Sequence, residues 1–407
     1  MGMKYWTWLL SLLSVSALAW GLRSNDPIQP RRRDLLRWTG AGLASAWIGT
    51  GANNIPAVSE TGASATPLAY QVIPDGGPNL DPKLQALDAT KLIRKLSGQG
   101  GALWLGEHHN SAKDHAMQEY VITSLFEARK RHKDMPPIAI GLEQVEVQFQ
   151  PVLDEYWQGK LSVNELGAKV EWDKRWTWPF ELYAPIFEKA RSLGVQLLAL
   201  NVNTEDLAFV ERLGLPGLPK ERMKEYIYDT TGFAQFASTR EFSTYVDYVI
   251  RPSYDMHRDL GLLRFSRNGQ PLEEPMTFRN FFSGRILWDE AMAGRAAAWV
   301  KSNKGLLIGL VGADHVKFRN GIPGRFSRIV GSGQPWTSCT SVLLNPTLID
   351  TRPSGSVGME GADSSRPDSI TLQLRYLKDE VDRNSPDRFL ASSTGGILPL
   401  ADYVLIG

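Results

Sequence analysis

Ala102-Leu103-Trp104-Leu105-Gly106-Glu107 is a short apolar run that stops at a carboxylate, and the chain repeats this pattern three times. Ile138-Ala139-Ile140-Gly141-Leu142 runs into Glu143, Leu197-Leu198-Ala199-Leu200 into Asn201, and the stretch from Leu306 to Asp314 into His315. Each run has the length of a buried strand, and helix-like sequence follows at least the first two. The pattern predicts an α/β fold. In open α/β sheets ligands bind outside the carboxyl ends of the strands, so four polar stops of this kind predict one shared pocket at a sheet edge.

Each stop has its own surroundings. After Glu107 come His108 and His109, then a helix that Asn110 or Ser111 can cap. His115, Gln118, Ile122 and Leu125 fall on one face of that helix, which aims His115 and Gln118 at the edge occupied by Glu107. Glu143 ends a buried strand, where a carboxylate needs a cation, a metal or a histidine beside it. Gln148 and Gln150 precede a helix that starts near Pro151, and Ser162-Val163-Asn164-Glu165 is a capping box. Trp172, Trp176, Trp178 and Phe180 are expected to pack in the core, or else to wall a planar apolar ligand. Gly312-x-x-His315 repeats the Gly106-x-x-His109 spacing at a second strand end. Two imidazoles near two carboxylates suit a divalent metal or general acid/base chemistry.

Composition narrows the options. The 407 residues carry 45 Lys and Arg against 44 Asp and Glu, a formal charge of +1, which argues against a dedicated nucleic-acid binder. One cysteine, Cys339, excludes an internal disulfide, a Cys-based zinc cluster and a c-type haem attachment; it reads as a small buried core residue. The G-x-S-x-G, H-E-x-x-H and P-loop motifs are absent.

Residues 1–65 read as targeting signals. Lys4 and an apolar stretch end at Ala17-Leu18-Ala19, a secretory cleavage pattern. Arg32 and Arg33, followed by Leu35 and Leu36, have the form of a twin-arginine signal, with a second small-residue site at Ala63-Ser64-Ala65. The tandem resembles the bipartite address of proteins imported into complex plastids, which implies a thylakoid-lumen destination; the alternative is a bacterial-type export signal to the periplasm. After these segments no stretch approaches the ~20 apolar residues of a membrane span, so the mature protein is expected to lack one. Residues 66–82 read as a linker, Lys83 to Leu96 as a helix, 351–369 as a mobile loop within the domain 83–407, and LQLRYL and ADYVLI as strands.

The order of motifs resembles the ChaN-like haem-binding family of the Tiki/TraB-type superfamily: Gly-Glu-His-His at 106–109, Gly-Leu-Glu at 141–143, and Gln-Pro-x-Leu-Asp at 150–154. Leu-Asn at 200–201, Trp-Asp-Glu-x-Met-Ala at 288–293 and Gly-x-x-His at 312–315 complete it. The resemblance implies a single domain with a mixed, mainly parallel sheet between helices. It also implies noncovalent haem, with iron held by tyrosine at a dimer contact and hence a homodimer. Tyr156, Tyr183, Tyr245 and Tyr248 are the tyrosine candidates, and a histidine is the other candidate axial ligand. His109, His115, Gln118, Glu143, Asn201 and His315 are the expected cofactor-binding residues. The rival expectation is a metal-dependent hydrolase, an esterase or peptidase, built on the Glu107, His109, Glu143 and His315 constellation: the histidines and one carboxylate hold a divalent metal that activates water, and the second carboxylate moves the proton.

Overall fold

The computed structural model describes residues 66–76, 82–132, 135–347, 350, 371–376 and 396–407. The targeting region 1–65 and the loop 351–369 lie outside them. Ten strands are described: β1 (Leu68–Ile73), β2 (Lys83–Leu87), β3 (Gly101–Glu107), β4 (Ile138–Glu146), β5 (Gln196–Asn201), β6 (Leu306–Gly312), β7 (Cys339–Leu344), β8 (Gln373–Tyr376), β9 (Gly396–Pro399) and β10 (Tyr403–Ile406). Eight of them form one sheet in the order β2-β1-β10-β7-β3-β6-β4-β5, while β8 and β9 pair apart. From β10 to β5 every pairing is parallel; β1 runs antiparallel to both of its neighbours. The sheet is mixed and mainly parallel, as expected.

The helices are α1 (Ala89–Ser97), α2 (Ala112–Lys130), α3 (Gln150–Trp157), α4 (Val163–Lys169), α5 (Trp172–Arg175), α6 (Ala184–Ser192) and α7 (Thr204–Leu213). They continue with α8 (Lys220–Met223), α9 (Thr230–Ala237), α10 (Arg240–Tyr245), α11 (Arg251–Asp259), α12 (Phe278–Asn303) and α13 (Ile322–Val330). Strand alternation decides which face each side chain joins. Leu103 and Leu105 pack with Val121, Ile122 and Leu125 of α2, whereas Trp104 packs on the other face with Ala293 and Ala297 of α12 and Phe326 of α13. Helices therefore cover both faces, which is why the central strands read as nearly unbroken apolar runs.

The N-terminal expectations need correction. Residues 66–82 are more than a linker, because β1 occupies 68–73 and buries Ala69 and Val72. The helix expected from Lys83 starts six residues later. Lys83-Leu84-Gln85-Ala86-Leu87 pairs with β1 as a strand, and the Asp88 carboxylate caps α1 by accepting from the Lys91 amide at 2.9 Å. Periodicity was ambiguous over five residues, and the cap marks the true start. Elsewhere the signals hold: Ser111 caps α2, Pro151 lies in the first turn of α3, and both bonds of the Ser162–Glu165 capping box are present. Cys339 is half-buried at the start of β7, where burial pushes its thiol up to about 11, against a nucleophilic role.

Candidate functional site

β3, β6, β4 and β5 are consecutive in the sheet, so Glu107, His315, Glu143 and Asn201 come to one edge despite their separation in sequence. Glu107 is the hub. Its Oε1 accepts from His109 Nδ1 (2.8 Å), Tyr183 Oη (2.7 Å) and Gln144 Nε2 (3.1 Å), and its Oε2 from Gln118 Nε2 (2.5 Å). His115 Nε2 lies 3.6 Å from the same Oε2. Burial pushes the Glu107 carboxyl up, but His109 and His115 outweigh it and hold it well below the usual carboxylate range.

Glu143 lies between the two Gly-x-x-His histidines. Its Oε2 accepts from the Gly312 amide at 2.6 Å, and its Oε1 is 3.3 Å from His315 Nε2 and 3.9 Å from His109 Nε2. A Cβ at Gly312 would stand 2.8 Å from His109 Nε2, so the close approach needs glycine there. Burial again opposes the charge on Glu143, yet His315, His109 and the Gly312 amide bring its pKa down to about 2. The Nδ1 of His315 is bonded to Asp289 of α12. Burial and Arg285 disfavour a charged His315, but Glu143 and Asp289 outweigh them and raise its pKa.

Each imidazole is thus fixed at Nδ1 by its own carboxylate and turned at Nε2 toward one oxygen of Glu143. Aromatic rings wall the pair. Trp176 and Trp178 lie 5.0 and 4.4 Å from the His109 ring, Trp288 lies 5.3 Å from His315, and the Arg267 guanidinium stacks over both Trp176 and Trp288. Trp172 and Phe180 pack behind, against Phe187.

Several expectations are corrected by this geometry. Glu107, His115, Gln118, Glu143, Asn201 and His315 are all 5% exposed or less, and only His109 reaches the surface. His115 and Gln118 surround Glu107, and Asn201 donates to the backbone carbonyl of Glu143 at 2.7 Å, so these three brace the site. His108 turns away to Asp114 and Asp350, whose hydrogen bonds lift its pKa to about 10. The metal set converges but does not fit a metal. Among the described residues no group of three or more His, Cys, Asp and Glu side chains is disposed to hold an ion. The oxygens of Glu107 are already saturated by protein donors, and both Nε2 atoms address the same carboxylate oxygen.

The tyrosine candidates fare no better as iron ligands at a protein contact. Tyr156, Tyr183 and Tyr245 are 1% exposed or less. Tyr183 donates to Glu107 and Tyr245 to the Asp314 carbonyl, and burial with a nearby carboxylate raises both phenols well above the usual value. Tyr248, half-buried, is bonded to Thr371.

Gln144 and the role of Asp289 escaped the sequence reading, and Tyr183, named there as an iron candidate, serves Glu107 instead. Asp289 carried a signal, since an acid beside the apolar stripe of α12 requires a buried partner. Gln144 carried none.

A family model described as haem-binding uptake, Tiki superfamily, ChaN matches residues 92–326. The chain belongs to this ChaN family. A search of curated proteins finds no match. Similar solved structures include a ChaN of Campylobacter jejuni with cofacially bound haem, at 16% identity and a TM-score of 0.48, covering 83% of this chain and 96% of that one. The type III effector HopBA1 (11%, TM-score 0.32, covering 68% and 84%) and a mutant of the erythromycin esterase EreC in its open conformation (13%, TM-score 0.36, covering 83% and 97%) are others. Likenesses this remote carry no information about the site of this ChaN-like chain.

Proposed function

We propose that the chain binds haem or a related tetrapyrrole noncovalently and serves in haem or iron handling. Family membership supports the ligand class. The observation that supports its place is a cleft of about 490 Å³ beside the β4 and β5 ends, lined by Val147, Gln148, Asn203, Arg222, Glu225, Tyr228 and Arg295. Its size is that of a small-molecule site, and Tyr228 is a large aromatic left 55% exposed. A phenol oxygen can serve as an axial ligand to haem iron, and arginines suit carboxylate side chains. Tyr228 would therefore hold the iron, with Arg295 beside a propionate, while Arg222 is already paired with Asp206 and Glu225. Bound haem would supply the iron, and these residues would orient it.

Hemin titrated into the full chain should shift the Soret band, and Tyr228→Phe should weaken binding at least tenfold, ~1.4 kcal/mol. His109→Gln should leave the titration unchanged. An unaltered Soret band in the wild type, or equal affinity in Tyr228→Phe, would remove this reading.

A plastid destination, with passage to the thylakoid lumen, belongs to the same proposal and is supported by Arg32-Arg33 and the two small-residue sites alone. A fluorescent fusion of residues 1–80 in an alga with complex plastids should enter the organelle, and replacing both arginines by lysine should stop it at the last membrane. Appearance of the fusion in the medium argues for export.

A further inference from the structure

The second half of α7 carries an exposed apolar ridge, and we propose that it docks on a membrane surface rich in anionic lipid headgroups. Phe209 and Leu213 are four residues apart on this helix, so they stand one above the other on one face. They are 39% and 61% exposed, while Leu207, Ala208 and Val210 of the same helix are buried in the core. A Cβ at Gly217 would stand 2.3 Å from Leu213 Cβ, so the turn after the helix folds tightly against the ridge and brings exposed Pro216 to it. Single exposed apolar side chains need no explanation, but a contiguous set marks an interaction surface.

Charge selects the partner. Five acids lie between residues 204 and 225, and the fold engages all of them. Glu205 pairs with Arg175, Asp206 and Glu225 with Arg222, and Glu221 with Lys224, while Glu211 accepts from the Arg267 amide. The cations at the ridge are left over. The Arg212 guanidinium lies over Phe209, 5.2 Å from the ring centroid, and Arg279 Nε is 3.8 Å from where a Cβ of Gly214 would be. Neither arginine has an acid partner among the described residues.

Apolar tips flanked by unpaired guanidinium groups match the boundary of a bilayer. The tips reach the acyl chains, and the guanidinium groups meet phosphates, which they bind in bidentate fashion. A two-fold contact between copies through this ridge would bring like charges together, so a second copy fits it worse. The surface is separate from the Tyr228 cleft, whose Asn203 lies at the other end of α7.

The test places an NBD fluorophore at position 216 of the full chain (Pro216→Cys with Cys339→Ala), which leaves both ridge side chains in place. A second label at Leu84→Cys, on β2 at the opposite edge of the sheet, reports binding through any other segment. Vesicles of mixed phosphatidylglycerol and phosphatidylcholine should raise and blue-shift the emission at 216 and leave that at 84 unchanged. Leu213→Ser, and separately Arg212→Gln/Arg279→Gln, should weaken the response about tenfold at low salt, with melting temperatures unchanged. No change at 216, an equal response at 84 or on phosphatidylcholine alone, or an unaltered titration in either variant would overturn the proposal. So would the same response to polyglutamate without vesicles, the mark of an acidic protein partner, or a response of the chain alone that grows with its concentration, the mark of a second copy.

Discussion

Replacing Glu290 by methionine should destabilise the protein by about 3–5 kcal/mol, a larger loss than any single apolar contact in α12 explains. Glu290 is 1% exposed and Arg325 is fully buried. Arg325 Nη1 donates to Glu290 Oε2 at 2.9 Å, and Arg328 donates to the other oxygen. Around Arg325 stand the rings of Phe233, Phe236 and Phe242, at 5.3, 4.9 and 5.3 Å from its guanidinium carbon. Ring faces soften the cost of a buried cation by about 1–2 kcal/mol and cannot replace a carboxylate. Without Glu290 the charge stays buried, since an arginine does not neutralise itself. Glu290→Met/Arg325→Met together should recover most of the loss, because two apolar side chains fill the space without a charge. Urea melts of the single and double variants decide the matter: a single variant within about 1 kcal/mol of wild type would mean that Arg325 finds water or another acid.

Glu107→Gln should cost a similar amount at pH 7, and the cost should vanish in acid. Four donors, from His109, Gln118, Gln144 and Tyr183, converge on that carboxylate, and His115 stands 3.6 Å away. A neutral amide leaves one of its two positions facing donors with no acceptor, and each buried donor so stranded costs about 1–3 kcal/mol. The folded-state pKa of Glu107 lies below its ordinary value of 4.5. The stabilisation is therefore complete above about pH 4.5 and declines as pH falls through the folded-state pKa. Glu143 and Asp314, each brought down to about 2, act in the same direction and window. Melting temperatures of wild type and Glu107→Gln, measured from pH 7 downward, should start far apart and converge below pH 4. A constant gap would mean that packing of the side chain, and not its charge, stabilises the fold.

The central sheet was legible because four apolar runs of strand length are hard to hide, and their shared polar endings revealed the common edge. Glu107, His109, Glu143 and His315 do meet there. Roles were less legible than places. Asn201 ends its strand as the others do, yet it bonds to a backbone carbonyl, and nothing in Leu-Asn distinguishes a brace from a ligand. The metal set looked complete by residue type, but hydrogen bonds among its members decide the outcome, and these depend on rotamers. Asp289 was legible only as part of Trp-Asp-Glu-x-Met-Ala, because its partner is on another element, 26 residues away. β1 and β2 were missed since β2 is a short, exposed edge strand and β1 beside it buries only Ala69 and Val72, so neither has the strong pattern of a central strand.

The irregular end of β4 has a consequence for how this site could arise or be lost. Leu142 pairs with Ala199 and Glu146 with Asn201, so four steps along β4 match two along β5. The surplus pair of residues lets Glu143 reach Gly312 while Gln144, its neighbour, reaches Glu107. Deleting two residues here would let the strands run on in step, with Ile138–Leu142 and the core behind them unchanged. An insertion or deletion could thus dismantle the carboxylate–histidine cluster in a single event and leave a well-folded sheet. Among relatives, chain length between Leu142 and Glu146 is a sharper marker of an intact site than the identity of any one residue.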